Sequence, residues 1–255
     1  MLVAALGAYV YAALMQYGPG ERLDLDLSST SQAASGEPGL LLGRGDYYLQ
    51  RCCPHSVADT PEGTAFAVRV DDPKVKGNLR SEARLLSNRL NRRAVYEFEL
   101  TAPTPWRPSA QRVIVAQWHG TDDEFLLEPG RYPPLEIAIE NDRWIVVKSW
   151  DRRWRSADAG GGNTEGRAEI GSAPFVAGEN ARWRIEVLWS AGSDGYVRAL
   201  RNGELVAQDE GANAHRDFVG PYMKFGVYVP EWKKYPDLAI GERRVVFRSV
   251  SMAQL

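Results

Sequence analysis

Apolar and polar residues alternate with a period of two along most of the chain. Phe66, Val68 and Val70 make one such run. Tyr96, Phe98 and Leu100 alternate with Glu97 and Glu99, and Leu135, Ile137 and Ile139 with Glu136 and Glu140. Trp183, Ile185, Val187 and Trp189 make a fourth run. A period of two puts successive side chains on opposite faces of an extended segment, so each run predicts a half-buried strand. Turn signals separate the runs: Asn141-Asp142 before Trp144, Asp194-Gly195 before Tyr196, and Asn202-Gly203, which predicts a hairpin. No helical period and no internal repeat interrupts this pattern. Many short strands punctuated by turns predict an all-β antiparallel sandwich or jelly roll, in which one sheet curves to leave a groove. Ser149 to Gly171, with Gly160-Gly161-Gly162 inside it, is the longest stretch without alternation and reads as a loop able to close over a bound ligand.

Three strand-like segments carry a dense polar face opposite an apolar one. In Leu79 to Leu85, Arg80, Glu82 and Arg84 share a face. In Val113 to His119, strict alternation puts Gln117 and His119 with Val113 and Val115. In Tyr222 to Val229, Met223, Phe225, Val227 and Val229 form the apolar face, leaving Tyr222, Lys224 and Tyr228 opposite. Gly226 sits between Lys224 and Tyr228, where a missing side chain leaves room for a ligand to approach. If the three segments are neighbours, Arg, Gln, His, Lys and Tyr side chains share one surface. That set suits an acidic sugar. Removing the proton alpha to a carboxylate requires the carboxylate to be neutralised first, by a guanidinium fork, an amide or an ammonium. A base then takes the proton and an acid protonates the departing oxygen. His119, with an ordinary pKa of about 6.5, can be neutral and basic near neutral pH; Tyr228 can donate to the departing oxygen, or do both jobs if a neighbouring cation lowers its pKa.

Bulk properties refine the picture. The chain is 44% hydrophobic and 25% charged, as in ordinary globular proteins. Its net charge of -2, from 31 basic and 33 acidic residues, excludes a nucleic-acid or anionic-membrane partner driven by the overall field, so any polyanion site is local. Eight Trp and 11 Tyr suit sugar stacking, although strands favour aromatics for packing as well. The two cysteines are adjacent, Cys52-Cys53, and read as free thiols, because a bond between neighbours closes a strained ring. Residues 1–20 begin with an uncharged apolar run and read as a signal-peptide-like segment or short anchor, implying export. Residues 21–39 read as a linker and 40–255 as the folded domain.

RSEAR at 80–84, QWH at 117–119 and YMKFGVY at 222–228 resemble, in order and spacing, the signature strands of jelly-roll polysaccharide lyases. Alginate lyases of this fold carry an Arg-Ser/Thr-Glu-Leu-Arg strand, a Gln-Ile/Val-His strand and a Tyr-Phe-Lys-Ala-Gly-x-Tyr strand. Gly220-Pro221 followed by this third strand is closer to heparin lyase I and glucuronan lyase relatives. The resemblance implies a concanavalin A-like jelly roll that cleaves a uronate-containing polysaccharide by β-elimination. By position it implies Arg80 and Gln117 as carboxylate neutralisers, His119 as base, Tyr228 as acid or acid–base, and Lys224 as a cation for substrate. Glu82, Arg84, Trp118, Tyr222 and Trp232 are the expected substrate contacts. Trp118 and Ala83 depart from the usual residues on the apolar face, and Val229-Pro230-Glu231-Trp232 departs from the alginate lyase ending. No cofactor is required; some relatives hold structural calcium, for which Asp217 is the candidate. The expected partner is an acidic polysaccharide, acted on by a monomer.

Two other classes fit parts of the pattern. A non-catalytic carbohydrate-binding module would use Trp118, Trp232 and Tyr222 as platforms. A glycoside hydrolase needs two carboxyl groups flanking one bond, and Glu82 is the one carboxylate on the three polar faces.

Overall fold

A computed structural model describes residue 16 and residues 20–27, 48–122, 130–155 and 164–255. The strands are β1 (Arg22–Asp26), β2 (Tyr48–Gln50), β3 (Val57–Thr60), β4 (Gly63–Arg69), β5 (Arg80–Ser87), β6 (Arg93–Thr101), β7 (Val113–His119), β8 (Leu135–Glu140), β9 (Arg143–Trp150), β10 (Gly166–Pro174), β11 (Asn180–Leu188), β12 (Tyr196–Arg201), β13 (Glu204–Glu210), β14 (Tyr222–Tyr228) and β15 (Glu242–Gln254). They join in one antiparallel path, β2-β5-β14-β7-β8-β9-β10-β13-β12-β11-β6-β15-β4-β3, with β1 added to β15. A single residue pair, Gly171 with Ala207, links β10 to β13. The path folds over at that thin junction into an inner sheet, β2 to β10, and an outer sheet, β13 to β3.

Aromatic side chains bridge the two layers. Phe66 of β4 meets Phe225 of β14, Tyr96 of β6 meets Trp118 of β7, and Trp183 of β11 meets Trp144 of β9, each edge-on with centroids 5.1–5.6 Å apart. Apolar burial on both inner faces is what drives the layers together. The outer sheet keeps the expected alternation: Tyr96, Phe98 and Leu100 are buried while Glu97 is exposed. In the inner sheet, β7, β8 and β14 are buried on nearly every residue. The outward-facing residues of these strands are largely polar, so the inner sheet holds a dense polar layer on its concave side.

Local chemistry sets the details that matter for this surface. Asn141-Asp142 and Asn202-Gly203, all at positive φ, form the tight turns of the β8–β9 and β12–β13 hairpins. A β-bulge in β7 interrupts the pairing between Ile114 and Ala116. Strict alternation is therefore wrong for this strand: Val113, Val115, Ala116 and Trp118 all join the main core, and Ile114, Gln117 and His119 face the concave side. Gly226, at φ +140°, does not leave room for a ligand; a Cβ there would run into the Ser81 carbonyl of β5.

Other expectations are corrected too. The span read as a linker, 21–39, opens with β1, because Leu23, Leu25 and Leu27 alternate with Arg22, Asp24 and Asp26 and bury against β15. Residues 28–39 lie outside the described residues, as do 1–15. The Ser149 to Gly171 stretch is not one loop, since Ser149 and Trp150 end β9 and Gly166 begins β10; residues 156–163 lie outside the described residues. Cys52 and Cys53 are joined in a disulfide rather than free, with Cys52 Sγ 3.2 Å from Ser56 Oγ in the half-buried turn that follows β2. Among the described residues no helix is long and apolar enough to cross a membrane.

Candidate active site

Pairing of β5, β14 and β7 brings the three polar segments together. Lys224 lies opposite Arg84 on one side and Gln117 on the other, Tyr228 opposite Arg80, and Tyr222 opposite His119. On the concave side Arg80, Gln117, His119 and Tyr228 line one cleft of about 430 Å³, together with Arg112, Ile114, Arg131, Tyr132, Glu136, Glu140, Arg167 and Glu231.

His119 is held in one tautomer. Its Nδ1 lies 2.9 Å from the Gly120 carbonyl, which can only accept, so Nδ1 carries the proton and Nε2 keeps its lone pair. Its ring stacks on Tyr222 at 5.5 Å, and the Arg84 guanidinium covers the Tyr222 ring at 3.7 Å. Arg84 and Tyr222, expected to touch substrate, thus form a stack that holds His119. Burial first, then the nearby Lys224, with smaller effects from Arg80 and Arg84, lowers the imidazole pKa to about 3, against the Gly120 hydrogen bond that raises it. His119 is a neutral imidazole across the neutral range.

Tyr228 donates to Asn78 Oδ1 at 3.3 Å, and Arg80 lies over its ring at 4.3 Å. Burial raises its pKa and outweighs the opposing effect of Arg80, so the phenol keeps its proton. A combined acid–base role resting on a cation-lowered pKa is not what this environment favours. Arg80 gives one N–H to Glu82 at 3.3 Å, while its buried Nε has no partner. A guanidinium with unspent donors in a cleft is a site for an anion.

Glu82 anchors the cluster. Its side chain is 3% exposed, accepts from Gln117 Nε2 and from Arg80, and lies 3.9 Å from Lys224 Nζ. It fixes the groups that face a ligand instead of touching one itself. Lys224 is also beneath the surface, donating to Gln50 Oε1 at 3.1 Å; burial lowers its pKa to about 8, against the attraction of Glu82. Removing Glu82 leaves buried positive charges uncompensated. Glu82→Ala should lower unfolding stability by about 3–5 kcal/mol, measured by chemical denaturation; a change below about 1 kcal/mol would show that the anchor is dispensable.

Trp118 and Trp232 are not substrate contacts. Trp118 is fully buried against Tyr96 and Trp189, and Trp232 is buried with its Nε1 donating to Gln111 at 2.8 Å. A binding module built on these two platforms has no surface to use. Asp217, the calcium candidate, has its carboxylate buried in an ion pair with Arg131, and a guanidinium partner does not suit a calcium ligand.

Sequence reasoning missed the far wall of the cleft. Glu136 and Glu140 alternate with the core residues of β8 and carry no site signal in the sequence, yet Glu136 is bound by Arg112 and Arg167, and Glu140 by Arg112 at 2.9 Å. Arg112 and Arg131 lie outside any alternating run and carry no sequence signal. Both Glu136 and Glu140 are engaged by guanidinium groups, an arrangement unlike the free acid and base of a hydrolase.

The all-β sheet thus brings a neutral imidazole, a protonated phenol and a guanidinium to one cleft, a set suited to elimination chemistry. The family model for polysaccharide lyases matches residues 45–249, and the chain belongs to that family. No curated protein matches the sequence. Among solved structures it is similar to an endo-β-1,4-glucuronan lyase from Trichoderma reesei, with 16% identity, 93% of this chain and 96% of that chain covered, and a TM-score of 0.60. It is also similar to an alginate lyase from Pseudomonas aeruginosa (20% identity, 82% and 86% covered, TM-score 0.53) and one from Zobellia galactanivorans (15%, 81% and 83%, TM-score 0.52). At these identities the likeness carries the jelly-roll fold. The protein is a polysaccharide lyase that acts on an acidic polysaccharide.

Proposed function

We propose that the cleft binds one uronate with its carboxylate between Arg80 and Gln117, and that His119 and Tyr228 carry out the elimination. The carboxylate takes up the unspent N–H groups of Arg80 and the second amide N–H of Gln117. Resonance into a neutralised carboxylate stabilises the carbanion that forms at C5. His119 Nε2 accepts the C5 proton, the released electron pair forms the C4–C5 double bond, the C4–O4 bond breaks, and Tyr228 gives its proton to O4. Burial is the main cause of the low His119 pKa, and a carboxylate at Arg80 would offset one of the smaller lowering effects, that of the Arg80 charge.

The observation that carries this reading is the His119 Nδ1–Gly120 hydrogen bond, which leaves Nε2 unprotonated in a cleft that the Arg80 guanidinium also lines. One chain supplies every group, in keeping with action as a monomer. The apolar run at residues 1–15 supports export to where such polymers occur. Glucuronan, alginate, heparin-type glycans and bacterial exopolysaccharides form the test panel. At least one should yield products with the ultraviolet absorbance of an unsaturated uronate; new reducing ends without that absorbance would mean hydrolysis, and binding without new ends a module.

A further inference from the structure

The cleft is electrically uneven. At one end Arg80 lines the cleft, with the buried carboxylate of Glu82 and the ammonium of Lys224 beneath it. On the far wall each guanidinium is engaged: Arg112 with Glu136 and Glu140, Arg167 with Glu136, and Arg131 with Asp217. Glu231 is different. It lines the cleft three residues after Tyr228, makes no ion pair among the described residues, and its Oε2 is buried without a hydrogen-bond partner.

In the elimination the sugar on C5 donates its proton to His119 and holds its carboxylate at Arg80. The oxygen released towards Tyr228 stays with the preceding sugar, on the non-reducing side. That sugar therefore lies on the Tyr228–Glu231 side of the cleft. A second uronate there would bring its carboxylate against Glu231, with Arg112 and Arg167 already paired to Glu136 and Glu140. A sugar offering hydroxyl or amide donors would instead hydrogen-bond the part of the Glu231 carboxylate that lines the cleft.

We propose that Glu231 makes the leaving-group subsite selective for an uncharged sugar, so that the enzyme cuts where a uronate follows a non-acidic residue rather than inside a run of uronates. The proposal rests on the lyase reading above and narrows its substrate class. It concerns specificity only; Glu231 takes no part in the proton transfers.

The test compares a homopolyuronate with a 4-linked heteropolysaccharide carrying one uronate per repeat, both followed by unsaturated-uronate absorbance. Native enzyme should show kcat/KM about tenfold or more higher on the heteropolymer, a preference worth about 1.4 kcal/mol. Added salt should narrow the preference, because screening weakens a charge-based rejection. Glu231→Gln, and independently Glu231→Ala, should narrow it by about tenfold. Faster cleavage of the homopolyuronate by native enzyme, or a ratio that neither variant moves, overturns the inference while leaving the lyase reading in place. Absence of unsaturated products from both polymers and from the wider panel overturns the lyase reading and the inference with it.

Discussion

In a His119→Ala variant, kcat/KM on a susceptible polysaccharide should fall by about 10²- to 10⁴-fold with the fold intact. Among the described residues that line the cleft, the ring is the one neutral base with a lone pair directed away from a backbone acceptor. An active variant would remove it from the chemistry. The same environment fixes the pH dependence. Since the pKa is lowered from 6.5 to about 3, mainly by burial, the base stays deprotonated well below ordinary imidazole range, and the kcat/KM profile of the free enzyme should show no acid inflection near 6.5. Stability carries the opposite signature. Between those two pH values the unfolded chain binds a proton at His119 that the native protein does not, so stability declines as pH falls through that window. His119→Ala should show a shallower decline, measurable by denaturation at a series of pH values.

Tyr228→Phe should produce a loss of similar size, about 10²- to 10⁴-fold in kcat. The hydroxyl makes one 3.3 Å bond to Asn78, so the structural cost is about 1 kcal/mol, and the variant should bind substrate. The two variants can be told apart. A uronate carrying a nitrophenyl ether at O4 has a leaving group that needs no protonation, and it should restore turnover in Tyr228→Phe but not in His119→Ala. Rescue of both, or of neither, would contradict the division into base and acid.

Much of this site is legible in the chain because period-two alternation survives wherever a strand has one apolar neighbour layer. β5 and β14 follow it, and Arg80, Glu82, Lys224 and Tyr228 fall where counting puts them. β7 does not, because one extra residue at its bulge resets the count; Gln117 and His119 reach the cleft while Val113 and Val115 stay in the core. Nothing in the sequence marks a bulge of this kind, since valine and alanine are at home in either register. The far wall was hidden for a different reason. Glu136 alternates like any solvated residue, and only the fold of the sheet shows that Arg112 and Arg167 converge on it. Trp118 and Trp232 illustrate the converse: aromatic residues beside a candidate motif attract a binding role, while their burial assigns them to packing.

The most direct measurement of the central claim is a crystal structure of Tyr228→Phe with a uronate oligosaccharide bound. The carboxylate of one sugar should lie within hydrogen-bonding distance of Arg80 and Gln117, with the C5–H of that sugar facing His119 Nε2. An oligosaccharide seated away from these three side chains, or with C5 turned from the imidazole, would contradict it.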